Sequence, residues 1–285
     1  MKLLIDSNAI CYQAKFSMKD MDFESQATGV IFGFLRQLLK LSQLYPKSDF
    51  IFCWDSQSSL REKIYPLYKA NRKKVKTEEE KEVDSIAYAQ FDLIKEKILP
   101  EIGYRNIFEY DGYESDDIFA QIVYNYYDDH EIVIATADED IYQLLFDNVW
   151  IYNVSKKKEY DEVSFNMEYG IFPEDWVDVK AMAGCTSDNV KGIVGVGEKT
   201  AIKYLNRGLS KDSKLYEKIV SDKGKEIIRR NLKLVRLPYK GTPKPKFTKD
   251  QLSLDKFMTI CQRYGFQSIL QPKELRKWEE CLRLR

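Results

Sequence analysis

Two hydrophobic rhythms alternate along the first half of the chain. Short apolar runs at residues 2–5, 50–54, 105–110 and 131–136 have the length of strands. Between them lie segments with helical spacing. In residues 26–44, Val30, Ile31, Phe34, Leu35, Leu38, Leu39 and Leu41 fall near one stripe. Residues 79–99 and 115–127 also read as helices. This alternation predicts an α/β fold with a central, mostly parallel sheet flanked by helices. Segment 57–77 interrupts it. The segment is basic, carries Tyr65, Pro66 and Tyr68, and has weak helical periodicity, so it reads as a mobile or substrate-ordered element outside the core. After about residue 173 strands become scarce. Pro173-Glu174-Asp175 opens a helix with proline at its start, and a Pro- and Lys-rich loop covers 238–249. The pattern divides the chain into a core over 1–172 and a mostly helical region over 173–285.

Composition narrows the class. The chain has 285 residues, 44% hydrophobic and 32% charged, which suits an ordinary soluble globular protein of one large or two small domains. No apolar run approaches the roughly 20 residues of a membrane span, and the N-terminus lacks the form of a signal peptide. Cys11, Cys53, Cys185, Cys261 and Cys281 are scattered, with no Cys-x-x-Cys pair. A reduced cytoplasm is the simplest setting, without a disulfide framework or a zinc site. The single histidine, His130, lies in a polar turn. Histidine-based triads and general-base schemes are thereby disfavoured. The net charge is zero, but the signs are segregated. Arg61, Lys63, Lys69, Arg72, Lys73, Lys74 and Lys76 oppose only Glu62 in one stretch, and basic residues dominate again from Lys223 to Lys249. Solvated helix faces would account for either stretch alone. Together with the acidic clusters, they suit a protein that binds both a phosphate backbone and cations.

The acids carry the chemistry. Asp6 ends Lys2-Leu3-Leu4-Ile5, and Asp55 ends Phe50-Ile51-Phe52-Cys53-Trp54. Glu114, Asp116 and Asp117 cluster before a helix, Asp138 and Asp140 follow an apolar run, and Asp188 sits in Cys185-Thr186-Ser187-Asp188-Asn189. One such acid per helix would be explained by helix capping, but Glu-x-Asp-Asp and Asp-x-Asp exceed what capping needs. Carboxylates at the C-terminal ends of parallel strands converge on one crevice. There they repel one another unless a cation compensates them. Oxygen ligands favour Mg²⁺ or Mn²⁺.

Gly192-Ile193-Val194-Gly195-Val196-Gly197 precedes a helix at 198–206. Neither Gly-x-Gly-x-x-Gly nor the P-loop pattern is present. A helix–hairpin–helix type of turn within about 180–206 remains, in which backbone amides grip a phosphate and Lys199 is placed for the same phosphate.

These motifs, in this order, resemble the flap endonuclease/5′-exonuclease family, most closely its compact bacteriophage members. The resemblance runs from residue 2 to about residue 240. It rests on Asp6, on Asp55 followed by Tyr68-Lys69-Ala70-Asn71-Arg72, on Glu114-Ser115-Asp116-Asp117, on Asp138-Glu139-Asp140, and on Ser187-Asp188-Asn189 leading to Gly192–Lys199. It implies two metal ions. Asp6, Asp55, Glu114 and Asp116 would hold the first, Asp138, Asp140 and Asp188 the second, with Asp117 near both. Lys69 and Arg72 would lie on a helical arch at about 57–99 and act on the scissile phosphate. Tyr68 would stack on a displaced base. Gly192, Gly195, Gly197 and Lys199 would grip duplex DNA, with K⁺ at the turn.

The implied function is a structure-specific 5′ nuclease, both 5′-flap endonuclease and 5′-3′ exonuclease, serving replication, repair and removal of RNA primers. Its partners would be branched or nicked duplex DNA with a 5′ flap, RNA–DNA hybrid, and a polymerase or single-strand-binding protein in trans. The implied form is a cytoplasmic monomer. One position departs from the pattern: Cys185 stands where the family has a carboxylate of the second metal site. A thiol is a soft ligand, so the second site should be weakened. The alternative reading is a weakly catalytic protein that binds branched DNA. A PIN-like ribonuclease shares the acidic core but not the Gly192–Lys199 turn, and a phosphatase with Asp6 as nucleophile would want Asp-x-Asp where the chain has Asp6-Ser7-Asn8.

Overall fold

The apolar runs become strands because their side chains are buried on both faces, the mark of parallel sheet. Lys2–Asp6 and Asp49–Cys53 are buried beyond their first residue, and Ile132–Thr136 is buried throughout. The structure, a computed structural model, describes residues 1–18, 21–72 and 76–284. Packing groups these into two units that interleave in sequence. The first comprises Met1–Trp54, Lys76–Phe108 and Lys246–Arg285; the second comprises Asp55–Val75 and Glu109–Pro245. The sequential division at residue 172 follows the order of motifs instead.

In the first unit, Lys2–Asp6 pairs in parallel with Asp49–Cys53, Leu4 opposite Ile51 and Asp6 opposite Cys53. Asp49–Cys53 pairs in parallel with Ile107–Phe108. Helix Ser7–Ser17 packs on helix Gly29–Leu44. Gly33 permits their close crossing, since a Cβ there would lie 2.6 Å from that of Ala14. The helix expected from residue 26 starts at Gly29, because Gln26–Ala27 pairs with Asp22–Phe23 as a short hairpin. Helix Glu78–Leu93 begins at a Thr77/Glu80 capping box. It continues through a π-helical turn, Ile94–Ile98, into Leu99–Ile102. Helices Leu254–Arg263 and Pro272–Leu282 complete this unit, with Phe257 and Trp278 packed ring to ring.

In the second unit, Ile132–Thr136 pairs in parallel with Val149–Asn153, and the latter pairs antiparallel with Lys158–Tyr160. Neither of these partners figures in the sequence pattern above. Lys158-Glu159-Tyr160 is too short and too polar to signal a strand, whereas Val149-Trp150-Ile151-Tyr152 carries a readable apolar run. Helix Ser115–Tyr126 matches expectation, and Pro173–Asp175 is a 3₁₀ turn leading into helix Trp176–Ala183. Helix Asp222–Val235 packs along Trp176–Ala183. Tyr142, Tyr160, Phe165, Tyr169 and Trp176 form a continuous aromatic cluster. The fold is therefore α/β, with mostly parallel strands and flanking helices. Among the described residues, no helix is long and apolar enough to cross a membrane.

Candidate active site

In the second unit, the acids after the strands are held by local structure. Asp55 accepts hydrogen bonds from the backbone N–H and hydroxyl of Ser115, at 2.8 and 2.9 Å, at the start of helix Ser115–Tyr126. Glu114 occupies the N-cap of that helix, where carboxylates are favoured by the exposed amides. Its side chain accepts from Ser59 Oγ at 3.0 Å, Tyr68 Oη at 2.9 Å and Lys69 Nζ at 2.9 Å. Asp116 is half-buried on the first turn. Asp138 caps the 3₁₀ turn Glu139–Leu144 by accepting from Asp140 N–H at 2.8 Å.

Asp188 closes the cluster. Its carboxylate accepts from Arg72 at 2.6 Å and from Tyr68 Oη at 3.1 Å, with Lys69 Nζ at 4.0 Å. Asp140, Cys185 and Asp188 present ligand atoms that all lie within 4.8 Å of one another. Carboxylate oxygens suit a hard divalent cation. The thiol does not: burial, then the charges of Asp140 and Asp188, push its pKa up to about 12. A thiol is also a soft ligand, poorly matched to a hard divalent cation. The Cys185 Sγ lies 2.9 Å from Ser187 Oγ.

The cations respond to the same field. Burial opposes the charge of Lys69, but Glu114, Asp188 and Asp55 outweigh it and raise the pKa. Burial also opposes ionisation of Glu114, and there Lys69 and Arg61 prevail, holding it below the usual carboxylate range. For Asp188, burial and the charges of Glu114 and Asp140 outweigh Lys69 and Arg72, so its pKa is raised.

Segment 57–72 is not the loose element that its pattern suggested. Arg61 is 2% exposed and Tyr68 is 3% exposed. Lys69 N–H donates to Asp188 O, Asn189 Nδ2 to Leu67 O, and Asn71 Nδ2 to Thr186 O. These bonds dock the segment on the loop that carries Asp188, and Lys69 takes a left-handed φ of 52° to do so. Tyr68 packs with Val177, Ala181 and Cys185. Its ring is thus enclosed, not presented for stacking on a base, and its hydroxyl joins Glu114 to Asp188. The basic residues Lys73 and Lys74 lie outside the described residues.

Asp117 also differs from expectation. It is fully buried, and its oxygens accept from Arg61 at 2.6 and 2.7 Å, from Glu114 N–H at 3.1 Å and from Tyr239 N–H at 2.7 Å. A carboxylate so saturated by donors anchors the chain and is not free to ligate a metal. Asp6 ends its strand in the first unit and caps helix Ser7–Ser17 through Ala9 N–H at 2.9 Å.

Two further charged residues belong to the network. Arg61 lies 3.8 Å from Glu114 and donates to Leu234 O. Lys180, nearly buried, bridges Asp140 at 2.8 Å and Glu198 at 2.9 Å. Its signal was a lone lysine on helix Trp176–Ala183, which is apolar apart from Lys180 and Asp178.

The glycine turn has three distinct parts. A Cβ at Gly192 would lie 2.1 Å from Ala183 O, so the chains cross there in contact. Gly195 has φ of 87°, where side chains are disfavoured. Gly197 has nothing within 4 Å of a Cβ position, and it precedes helix Glu198–Leu205, where Lys199 is exposed.

Carboxylates gathered after the strands of an α/β fold, faced by Lys69 and Arg72 and without a histidine, define the class of metal-assisted phosphodiesterases. The chain matches the family model of the 5′-3′ exonuclease N-terminal resolvase-like domain over residues 1–170. It is 33% identical over 213 residues to a 5′-3′ exonuclease of Bacillus subtilis (strain 168), covering 71% of this chain and 69% of that protein. The chain belongs to the 5′-3′ exonuclease family. Its fold resembles that of a bacteriophage T5 5′-exonuclease with zinc ions bound (TM-score 0.70, 23% identity, covering 83% of this chain and 89% of that one). It also resembles a bacteriophage T5 flap endonuclease variant in complex with DNA and metal ions (TM-score 0.67, 21% identity, 97% and 98%).

Proposed function

We infer that the chain is a structure-specific 5′ nuclease that hydrolyses DNA phosphodiesters at 5′ ends and 5′ flaps with divalent metal. The observation that carries this reading is the convergence of Glu114, Asp140 and Asp188 with the cations Lys69 and Arg72 on one cluster. In the second unit, Asp55, Glu114 and Asp116 would hold one ion, and Asp138, Asp140 and Asp188 a second. Ions there would supply an activated water and stabilise the leaving oxygen. Lys69 and Arg72 then neutralise charge that develops on the reacting phosphate. Tyr68, Ser59 and Lys69 fix the orientation of Glu114. The amides beyond Gly197, together with Lys199, receive a backbone phosphate of the duplex. In this division of labour, residues 1–172 carry most of the metal ligands, and 173–285 supply Asp188 and the grip on DNA.

Cys185 limits the second site. Its thiol replaces an oxygen ligand, so the second ion should bind weakly and activity should call for more metal. A second reading, a branched-DNA binder with little turnover, is favoured by the same residue. Asp116→Asn tests the main reading. Cleavage of a 5′-flap DNA should fall to background while DNA binding by gel shift in Ca²⁺ is retained. Wild-type cleavage undiminished by excess chelator would overturn it.

A further inference from the structure

A cavity of about 430 Å³ opens in the second unit beside the end of helix Asp222–Val235. Three exposed cations line it, Lys233, Arg236 and Lys240. No carboxylate contributes to the lining. Among the described residues none of the three is in an ion pair, although Arg236 bears electrostatically on Asp178. The rest of the wall is apolar: Ile64, Leu232, Pro238 and the half-buried ring of Tyr239. That ring has the Arg61 guanidinium 5.2 Å from its centroid and Tyr113 at its edge, so its position is fixed.

Unpaired cations over an aliphatic and aromatic wall match a ligand with an anionic end and a flat apolar body. Cations alone would suit any anion, and an apolar wall alone would suit any hydrophobe. Their combination is what a nucleotide requires, with phosphate on the lysines and arginine and base against the ring and aliphatic side chains. No amide or carboxylate side chain is present to read a base edge, so recognition should be indifferent to base identity. We propose that this cavity is a nucleotide-binding site separate from the acidic cluster, taking one nucleotide by its phosphate and its base. The nucleotide comes either from a DNA strand or as a free nucleoside monophosphate, the product class of an exonuclease. The choice of these two sources rests on the nuclease reading; the ligand chemistry does not.

Binding can be measured without catalysis. dAMP, dTMP and inorganic phosphate are titrated into the full chain by calorimetry in excess chelator, and a labelled oligothymidylate is followed by anisotropy. The variant is Lys233→Glu/Lys240→Glu, because both side chains are exposed and neither touches the Arg61–Asp117 network; an unchanged thermal midpoint checks its fold. Both mononucleotides should saturate the wild type with similar affinity and more tightly than phosphate, and the double variant should weaken them by about tenfold or more. If the oligonucleotide binds more tightly and displaces dAMP, the site holds a strand; if it does not compete, the site holds free product. Absence of saturable dAMP binding, dAMP no tighter than phosphate, or equal affinity in wild type and variant would overturn the proposal. Chelator silences the metal chemistry, so failure here leaves the cleavage reading standing, and loss of cleavage leaves this one standing.

Discussion

Arg61 illustrates how surroundings decide the role of a charged residue. In the sequence it opens a basic run, indistinguishable from its lysine neighbours. In the fold it is buried and bidentate on Asp117. Burial opposes its charge, but the hydrogen bonds and charge of Asp117 outweigh this and raise its pKa. Removing one partner of a buried pair leaves the other uncompensated, so Arg61→Ala should lower stability by about 3–5 kcal/mol, read from urea unfolding. Arg61→Lys should recover part of that loss, because an ammonium cannot reproduce the planar fork. Lys69 and Arg72 face the cluster instead. Lys69→Ala and Arg72→Ala should each slow single-turnover cleavage by about 10²–10³ with a far smaller change in DNA affinity; equal losses in both would make them ordinary backbone contacts. Cys185→Asp should lower the Mg²⁺ concentration for half-maximal cleavage, and superimposable metal titrations would exclude Cys185 from a ligand position. The acids were legible because Glu-x-Asp-Asp and Asp-x-Asp exceed the needs of capping. The saturation of Asp117, the burial of Tyr68 and the roles of Arg61 and Lys180 were not, since each depends on a partner 40 or more residues away in sequence.

Among the elements, the glycine turn separates two demands that look alike in sequence. Gly192 is required by the chain crossing at Ala183, whereas Gly197 stands in open space. Gly192→Ala should therefore destabilise the fold by about 2–3 kcal/mol. Gly197→Ala should cost about 1 kcal/mol or less, as a change at a helix N-cap, and act mainly on DNA binding. Thermal unfolding and gel shift on both variants check the contrast. Helices with a long apolar stripe, such as Gly29–Leu44 and Ser115–Tyr126, were readable because one face is buried along their length. Lys158–Tyr160 was not, because it pairs only at the edge of Val149–Asn153 and its pattern is polar.

Across the molecule, carboxylates with depressed pKa values set the acid limit of stability. Glu114, Asp49, Glu101 and Glu168 are all lowered by cationic partners, against the opposing effect of burial. A folded-state value below the unfolded one gives stability that is present above the unfolded pKa and lost as pH falls through the folded one. Asp188 and Asp178 are raised by burial and contribute with the opposite sign. The depressed group dominates in number and in direct ion pairs, so in chelator the urea midpoint should fall as pH drops below about 5; a rising midpoint would contradict this.

The interleaving of the two units bears on the order in which the protein can be made. Strand Lys2–Asp6 leaves the ribosome well before residues 246 onward, which belong to the same unit and where helix Pro272–Leu282 packs on Gly29–Leu44. At about 5–20 residues per second, the opening strands wait on the order of 15–60 s for those partners. The second unit, bounded by Asp55 and Pro245, has all its parts sooner. Synthesis thus favours completing the unit that carries most of the acidic cluster while the other is still unfinished, and a nascent chain stopped near residue 245 would expose the part of Gly29–Leu44 that Pro272–Leu282 covers to chaperones and proteases.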